Sequence, residues 1–411
     1  MDTIEKKTRK RLTLYFPGYD LRPPRQTSLL IYKELKAFLK LNKVEGDLTP
    51  LRDDLDPGGD TAFWEAKVNW PEQTVKARFV QLSWRDVIKP DFERFWPRTL
   101  LDGFRSFSRF AQAGGYFRVW KSNWAHAIFC LYPAVGLILY VLASLLPPLL
   151  LAPFILSLAT AIAPPDQAQA VSWAMLLACS GLWMAAVYGL VRLLERKSYF
   201  RYLVNSWHFI SRLAFNQHPH MLERVEECAD VIVAMTEQAD ADEDVVFVSH
   251  SCGTFVAIYI LAAVLRRRPD IVHRQGGFAF VTLGPAFDCL GGYGAGHGFG
   301  EAMRTVARSG VDWTDLYSPH DPICGGRTPP VARYALNDTP GEILPEPRRF
   351  SICVPDRMSA QQYRYLRRRF FPLHFCYFLA SIKPGLFDFY RMTLGPKRAT
   401  DQLTAWLNKR D

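Results

Sequence analysis

The hydrophobic pattern of this chain changes period several times. Residues 12–16, Leu-Thr-Leu-Tyr-Phe, alternate and then meet Pro17-Gly18, which predicts a strand ending in a turn. Helical spacing over 29–41 predicts a helix, and 62–69 and 74–83 read as two strands around Pro71. Residues 86–110 are mixed and read as mostly helical up to Gly114-Gly115. After two long apolar stretches, 199–215 and 221–239 read as helices, 245–248 as a short apolar strand and 253–267 as a helix closing at Pro269. Strands are predicted at 278–283, 311–317 and 349–354, and helices near 360–381 and 398–409. The seven glycines of 284–300 read as an unusually flexible loop, a composition that does not by itself make it a lid. Apolar strands alternating with helices argue for an α/β fold, a mostly parallel sheet covered by helices on both faces.

Between Lys121 and Arg192 the only formal charge is Asp166. A bilayer crossing needs about 20 apolar residues, and 171–191 supplies one. Residues 127–163 are too long for one straight crossing, so Pro147-Pro148 and Pro153 are predicted to break them. The first span is placed near 127–148, with 149–163 as a bent continuation or a segment at the far interface. If residues 12–16 and the strands after 200 share one sheet, the crossings must be even in number, hence two. Arg109, Arg118 and Lys121 precede the first span, and Arg192, Arg196, Lys197 and Arg201 follow the second. The connecting loop 164–170 has no cation, which places both termini in the cytoplasm. The expected organisation is therefore 1–121, a transmembrane hairpin at 122–195, and 196–411, with the outer parts forming one domain. A buried hairpin in a soluble core is the alternative.

The net charge of +10, with arginine runs at 266–268 and 367–369, fits anionic lipid head groups, or simply solvated helix ends. No metal-finger or RNA-binding signature accompanies it, so no nucleic-acid partner is expected. The eight cysteines are scattered without zinc-ligand spacing, and neither a disulfide framework nor a metal is expected. The first 16 residues carry no signal-peptide core.

The chemistry concentrates at Ser249-His250-Ser251-Cys252-Gly253, between the apolar strand and the apolar helix. A serine there sits on a tight turn at a helix N-terminus. Small residues two before and two after it, Ser249 and Gly253, let strand and helix approach. The helix end favours negative charge on a tetrahedral intermediate. This segment resembles the nucleophile elbow of the α/β-hydrolase superfamily, Gly-x-Ser-x-Gly, with Ser249 replacing the first glycine.

The resemblance implies the order nucleophile, acid, histidine. Asp321, in the loop after the strand at 311–317, then becomes the acid. Asp312 and Asp315 lie within that strand. His374, the only histidine after 320, becomes the base. His250, adjacent to the serine, is expected to point away. Pro17-Gly18-Tyr19 is similar to the His-Gly motif of the superfamily, with Pro17 in place of histidine. The resemblance thus implies an oxyanion hole from the backbone N–H groups of Tyr19 and Cys252. The expected activity is hydrolysis of a lipid or other hydrophobic acyl ester through an acyl-enzyme, with no cofactor. Thioester and amide substrates stay open. The rival expectation is a catalytically inactive hydrolase-fold protein that binds a partner at the membrane.

Overall fold

The structure is a computed structural model and describes residues 8–52, 61–294, 298–335 and 341–408. It divides into two compact units. One comprises residues 1–93, 110–127 and 209–411, and the other 94–109 and 128–208.

The first unit is built on a single eight-stranded sheet. Its strands are β1 Thr8–Phe16, β2 Glu45–Leu48, β3 Ala62–Asn69, β4 Thr74–Gln81, β5 Asp244–His250, β6 Phe278–Leu283, β7 Asp312–Tyr317 and β8 Arg348–Ser351. Their order across the sheet is β2-β3-β4-β1-β5-β6-β7-β8. β4, β1, β5, β6, β7 and β8 run parallel, and β3 runs against its neighbours. This is a mostly parallel α/β sheet, as the alternation of apolar strands and helices predicts.

β1 is central, with β4 on one side and β5 on the other. Its second half, from Arg11 to Phe16, is buried throughout. On one face of the sheet Tyr15, Trp64 and Phe79 join Phe378 and Phe389, with the Trp64 and Phe79 rings stacked 4.7 Å apart. β1 pairs in register with β5, Phe16 opposite Ser249, although more than two hundred residues separate them. A buried ion pair reinforces this junction. Arg11 Nε donates to Asp244 Oδ2 at 2.8 Å and its Nη1 to the Met392 carbonyl, so the guanidinium's desolvation is offset by several bonds. The Gly253–Arg267 helix follows β5 with the predicted bounds and is buried from Gly253 to Leu265.

The glycine-rich segment after β6 is not the open loop its composition suggests. Residues 285–293 are buried and include a short helix, Phe287–Gly291. Glycine serves here for close packing: a side chain at Gly291 would enter the Tyr334 ring, and one at Gly292 the Phe110 ring. Residues 295–297 lie outside the described residues.

The second unit is helical. Trp124–Ile162 is one helix of 39 residues, and Ala168–Ser198 is another of 31. Both are long and apolar enough to cross a membrane. The predicted break at Pro147-Pro148 does not occur: Pro133, Pro147, Pro148 and Pro153 all lie inside the first helix. Each proline deletes one backbone hydrogen bond, but neighbouring turns keep theirs, and in an apolar surround the helix is the only way to satisfy them. At ~1.5 Å per residue this helix is roughly 58 Å long, well beyond a core of about 30 Å. The two helices turn their large side chains outward, Leu149 being 68% exposed and Leu177 70%. That is the reverse of a buried hairpin in a soluble core. Trp183 Nε1 donates to the Ala143 carbonyl at 2.8 Å and ties one helix to the other.

Candidate active site

Ser251 occupies the single residue step between the buried strand β5 and the Cys252 cap of the Gly253–Arg267 helix. Its φ is +59°. Lys43 and Tyr199, also left-handed, close helix C-termini, where that conformation caps carbonyls. Ser251 instead bends a strand into a helix, a strained placement for a residue with a Cβ. The turn is pinned from several sides. Ser251 N donates to the Leu283 carbonyl at 3.0 Å, and Thr254 N and Oγ1 both donate to the Ser251 carbonyl. Thr254 Oγ1 also accepts from Ala286 N, tying the loop after β6 to the elbow.

The close approaches explain the small residues. A Cβ on Gly253 would drive into the Pro17 carbonyl, so the helix starts directly against the loop leaving β1. A Cβ on Gly18 would lie 2.9 Å from the Ser251 Cβ and 3.3 Å from its Oγ. The Pro17-Gly18-Tyr19 turn therefore sits beside the serine hydroxyl. The Cys252 thiol is influenced by the backbone N–H groups of Tyr19 and Cys252 and by the Ser251 side chain, so the Tyr19 loop lies against the elbow. Burial pushes the Cys252 thiol up, and the adjacent Cys289 adds to it, so this thiol stays protonated. The Tyr19 side chain turns away, donating from its hydroxyl to Asp91 Oδ2 at 2.9 Å.

Asp321 and His374 meet. His374 Nδ1 lies 2.6 Å from Asp321 Oδ2 and both side chains are buried. With Nδ1–H donating, Nε2 is left as the acceptor. Asp321 also accepts from the Tyr377 hydroxyl at 3.1 Å and from Ile323 N at 3.0 Å, which fixes its plane. The acid loop is braced from the start of the first long helix. Asn123 Nδ2 donates to the Cys324 carbonyl at 3.2 Å and His126 Nδ1 to the Pro322 carbonyl at 3.1 Å. His374 Nε2 is buried and has no hydrogen-bond partner, so the serine–histidine bond is not made in this structure.

The strand aspartates are engaged elsewhere. Asp312 pairs with Arg348. Asp315 accepts from Thr282 Oγ1 at 2.6 Å, and burial raises its carboxyl to about 6.

Two further residues belong to the site. Tyr377 holds the acid. His250 does not point away from the triad: its ring packs 4.5 Å from that of His374, and its Nε2 donates to the His374 carbonyl at 3.0 Å. Burial, and behind it the charge His374 would carry, holds His250 well below the ordinary imidazole range. It is thus a neutral prop for His374 and not a base. Its place before Ser251 was visible in the sequence, but its contact depends on where the 370–378 segment lands.

Strain at Ser251 makes a prediction. Ser251→Gly is expected to be more stable than Ser251→Ala by about 1 kcal/mol, because only glycine adopts this φ without cost. Thermal unfolding of the detergent-solubilised chain compares them, and equal midpoints would mean the turn is unstrained.

Compared with protein-family models, with curated proteins and with solved structures, the chain finds no match.

Proposed function

We propose that this protein is a membrane-anchored serine hydrolase of α/β-hydrolase type, and that it cleaves esters of hydrophobic acyl groups. The observation that carries the reading is the left-handed serine at a strand-to-helix elbow, in the unit that also pairs a buried histidine with a buried aspartate. Strain of this kind survives where the surrounding structure imposes it, and such positions cluster at functional sites. The elbow, the parallel sheet and the Tyr19 loop support the hydrolase fold as well as the chemistry.

Ser251 Oγ attacks the ester carbonyl and passes its proton to His374 Nε2. Asp321 keeps the Nδ1–H tautomer and stabilises the imidazolium. The oxyanion is held by the Tyr19 and Cys252 N–H groups and by the N-terminus of the Gly253–Arg267 helix. His374 then protonates the departing alkoxide. A water, deprotonated by His374, hydrolyses the acyl-enzyme in the mirror of these steps. The side chains of the site supply every proton transfer. Two apolar helices in the same chain favour a substrate drawn from lipid, and their cationic flanks favour a cytoplasmic catalytic unit.

The unmade bond between Ser251 and His374 favours a second reading, a hydrolase-type fold that binds a partner without turnover. Labelling of the membrane fraction with a fluorophosphonate separates the two. Wild type and Ser249→Ala are expected to label and Ser251→Ala is not. An unlabelled, folded wild type would favour the binding protein.

A further inference from the structure

The two arginine runs of the chain differ in a way composition does not show. Arg266, Arg267 and Arg268 are neutralised by acids of the Pro219–Glu237 helix and by Asp270. Arg266 pairs with Glu226 at 2.9 Å, Arg267 with Glu226 and Asp230 at 2.7 Å, and Arg268 with Glu237 and Asp270. This run closes a helix and has little field left to offer.

The second run is unneutralised. Arg364, at the end of the Ala360–Leu366 helix, and Arg367, Arg368 and Arg369, in the turn after it, are exposed. Among the described residues none of the four has an acidic partner. Arg369 lies over the Tyr365 ring, 4.1 Å from its centroid, and donates to its hydroxyl. Tyr365 is itself 56% exposed, and Phe370 and Phe371 follow with their rings 5.0 Å apart. No Asp or Glu occurs from 357 to 387. An exposed cluster of cations beside aromatic rings, without local counter-charge, has the chemistry of a surface for anionic head groups, whose phosphates take guanidinium forks while the rings enter the interfacial layer.

We propose that Arg364, Arg367, Arg368 and Arg369, with Tyr365, Phe370 and Phe371, dock on the anionic lipid head groups of the bilayer that holds the two apolar helices. The inference rests on the membrane reading of those helices and not on the hydrolase chemistry. A chain tethered at a bilayer keeps this patch at a high effective concentration of head groups, so modest attraction per arginine suffices. The short helix that begins at Phe370 ends on His374, so the docked segment is continuous with the one that carries the base. Binding of anionic lipid therefore fixes the backbone on which His374 sits.

Arginine footprinting tests this on the full chain. The protein is placed in nanodiscs of phosphatidylcholine with or without phosphatidylglycerol. Modification by phenylglyoxal is then followed at each arginine by mass spectrometry. Arg364, Arg367 and Arg368 are expected to react about fivefold more slowly in the anionic discs. Arg266 and Arg268, held by protein carboxylates, are expected to react alike in both and serve as the internal reference. Equal rates at Arg364–Arg368 in the two lipids would overturn the proposal. So would the same slowing in phosphatidylcholine discs on adding inorganic phosphate at matched ionic strength, which would make the patch a site for soluble anions. A chain that does not enter discs at all would overturn the membrane reading beneath it. Fluorophosphonate labelling reports on Ser251 separately, so the two proposals fail independently.

Discussion

Asp321→Asn is expected to lower turnover of a soluble ester about ten-thousandfold while leaving the chain folded. The carboxylate accepts three bonds, from His374 Nδ1, the Tyr377 hydroxyl and Ile323 N. An amide keeps the shape and one acceptor oxygen. If that oxygen stays with Ile323 N, the amide N–H₂ faces His374 Nδ1 and forces the ring into the tautomer with the proton on Nε2. Nε2 then has no lone pair for the serine proton. The expected signature is a loss in kcat with little change in KM, because the acid touches the base and not the acyl group. Folding is checked by the thermal midpoint and by retained nanodisc incorporation. A variant within tenfold of wild type would remove Asp321 from the mechanism and leave Ser251 to be explained without it.

The second large effect is structural. Gly253→Ala is expected to destabilise the first unit by about 3 kcal/mol and to abolish fluorophosphonate labelling. The added methyl would strike the Pro17 carbonyl, and the Phe16 carbonyl stands 3.0 Å away, so backbone meets side chain with nothing flexible to yield. Relief requires the Gly253–Arg267 helix to retreat from the loop leaving β1, which carries the Tyr19 N–H away from the serine. Gly181, in the second long helix, has nothing within 4 Å of its position for a Cβ, and Gly181→Ala is expected to be neutral. Unfolding midpoints and labelling of the two variants, measured side by side, check the contrast. Wild-type stability in Gly253→Ala would mean that the helix does not start against Pro17.

What could be read in advance follows from which forces are local. The elbow was legible because strand, turn and helix are consecutive, and the Gly253–Arg267 helix and β6 have the bounds that their apolar runs predict. Asp321 and His374 were singled out from a resemblance and the order of residues it implies, and the structure brings these two together. β2 was not legible: Glu-Gly-Asp-Leu has no apolar alternation and is a strand only because β3 offers it an edge. Neither was the continuous Trp124–Ile162 helix, since the local preference of four prolines argues for breaks that the helix does not have. The glycine-rich segment misled because glycine permits close packing as readily as motion. Only the rings of Tyr334 and Phe110 show which it does here. His250 and Tyr377 escaped because their role depends on contacts made across 124 and 56 residues of chain.

The position of β1 carries a consequence for how the protein is made. This central strand pairs with β4 on one side and β5 on the other, and the two long apolar helices are encoded between those neighbours. At about 5–20 residues per second, β5 leaves the ribosome roughly 10 to 50 s after β1. During that interval the edge of β1 that will face β5 has no partner, while the two long apolar helices are being made. The Tyr19 loop thus exists before Ser251 has been translated. Biogenesis thus faces a waiting strand edge, the kind of template that must be shielded from pairing with the wrong chain. Slowed insertion of the hairpin should show itself first as aggregation of the N-terminal strands and not as loss of the membrane anchor.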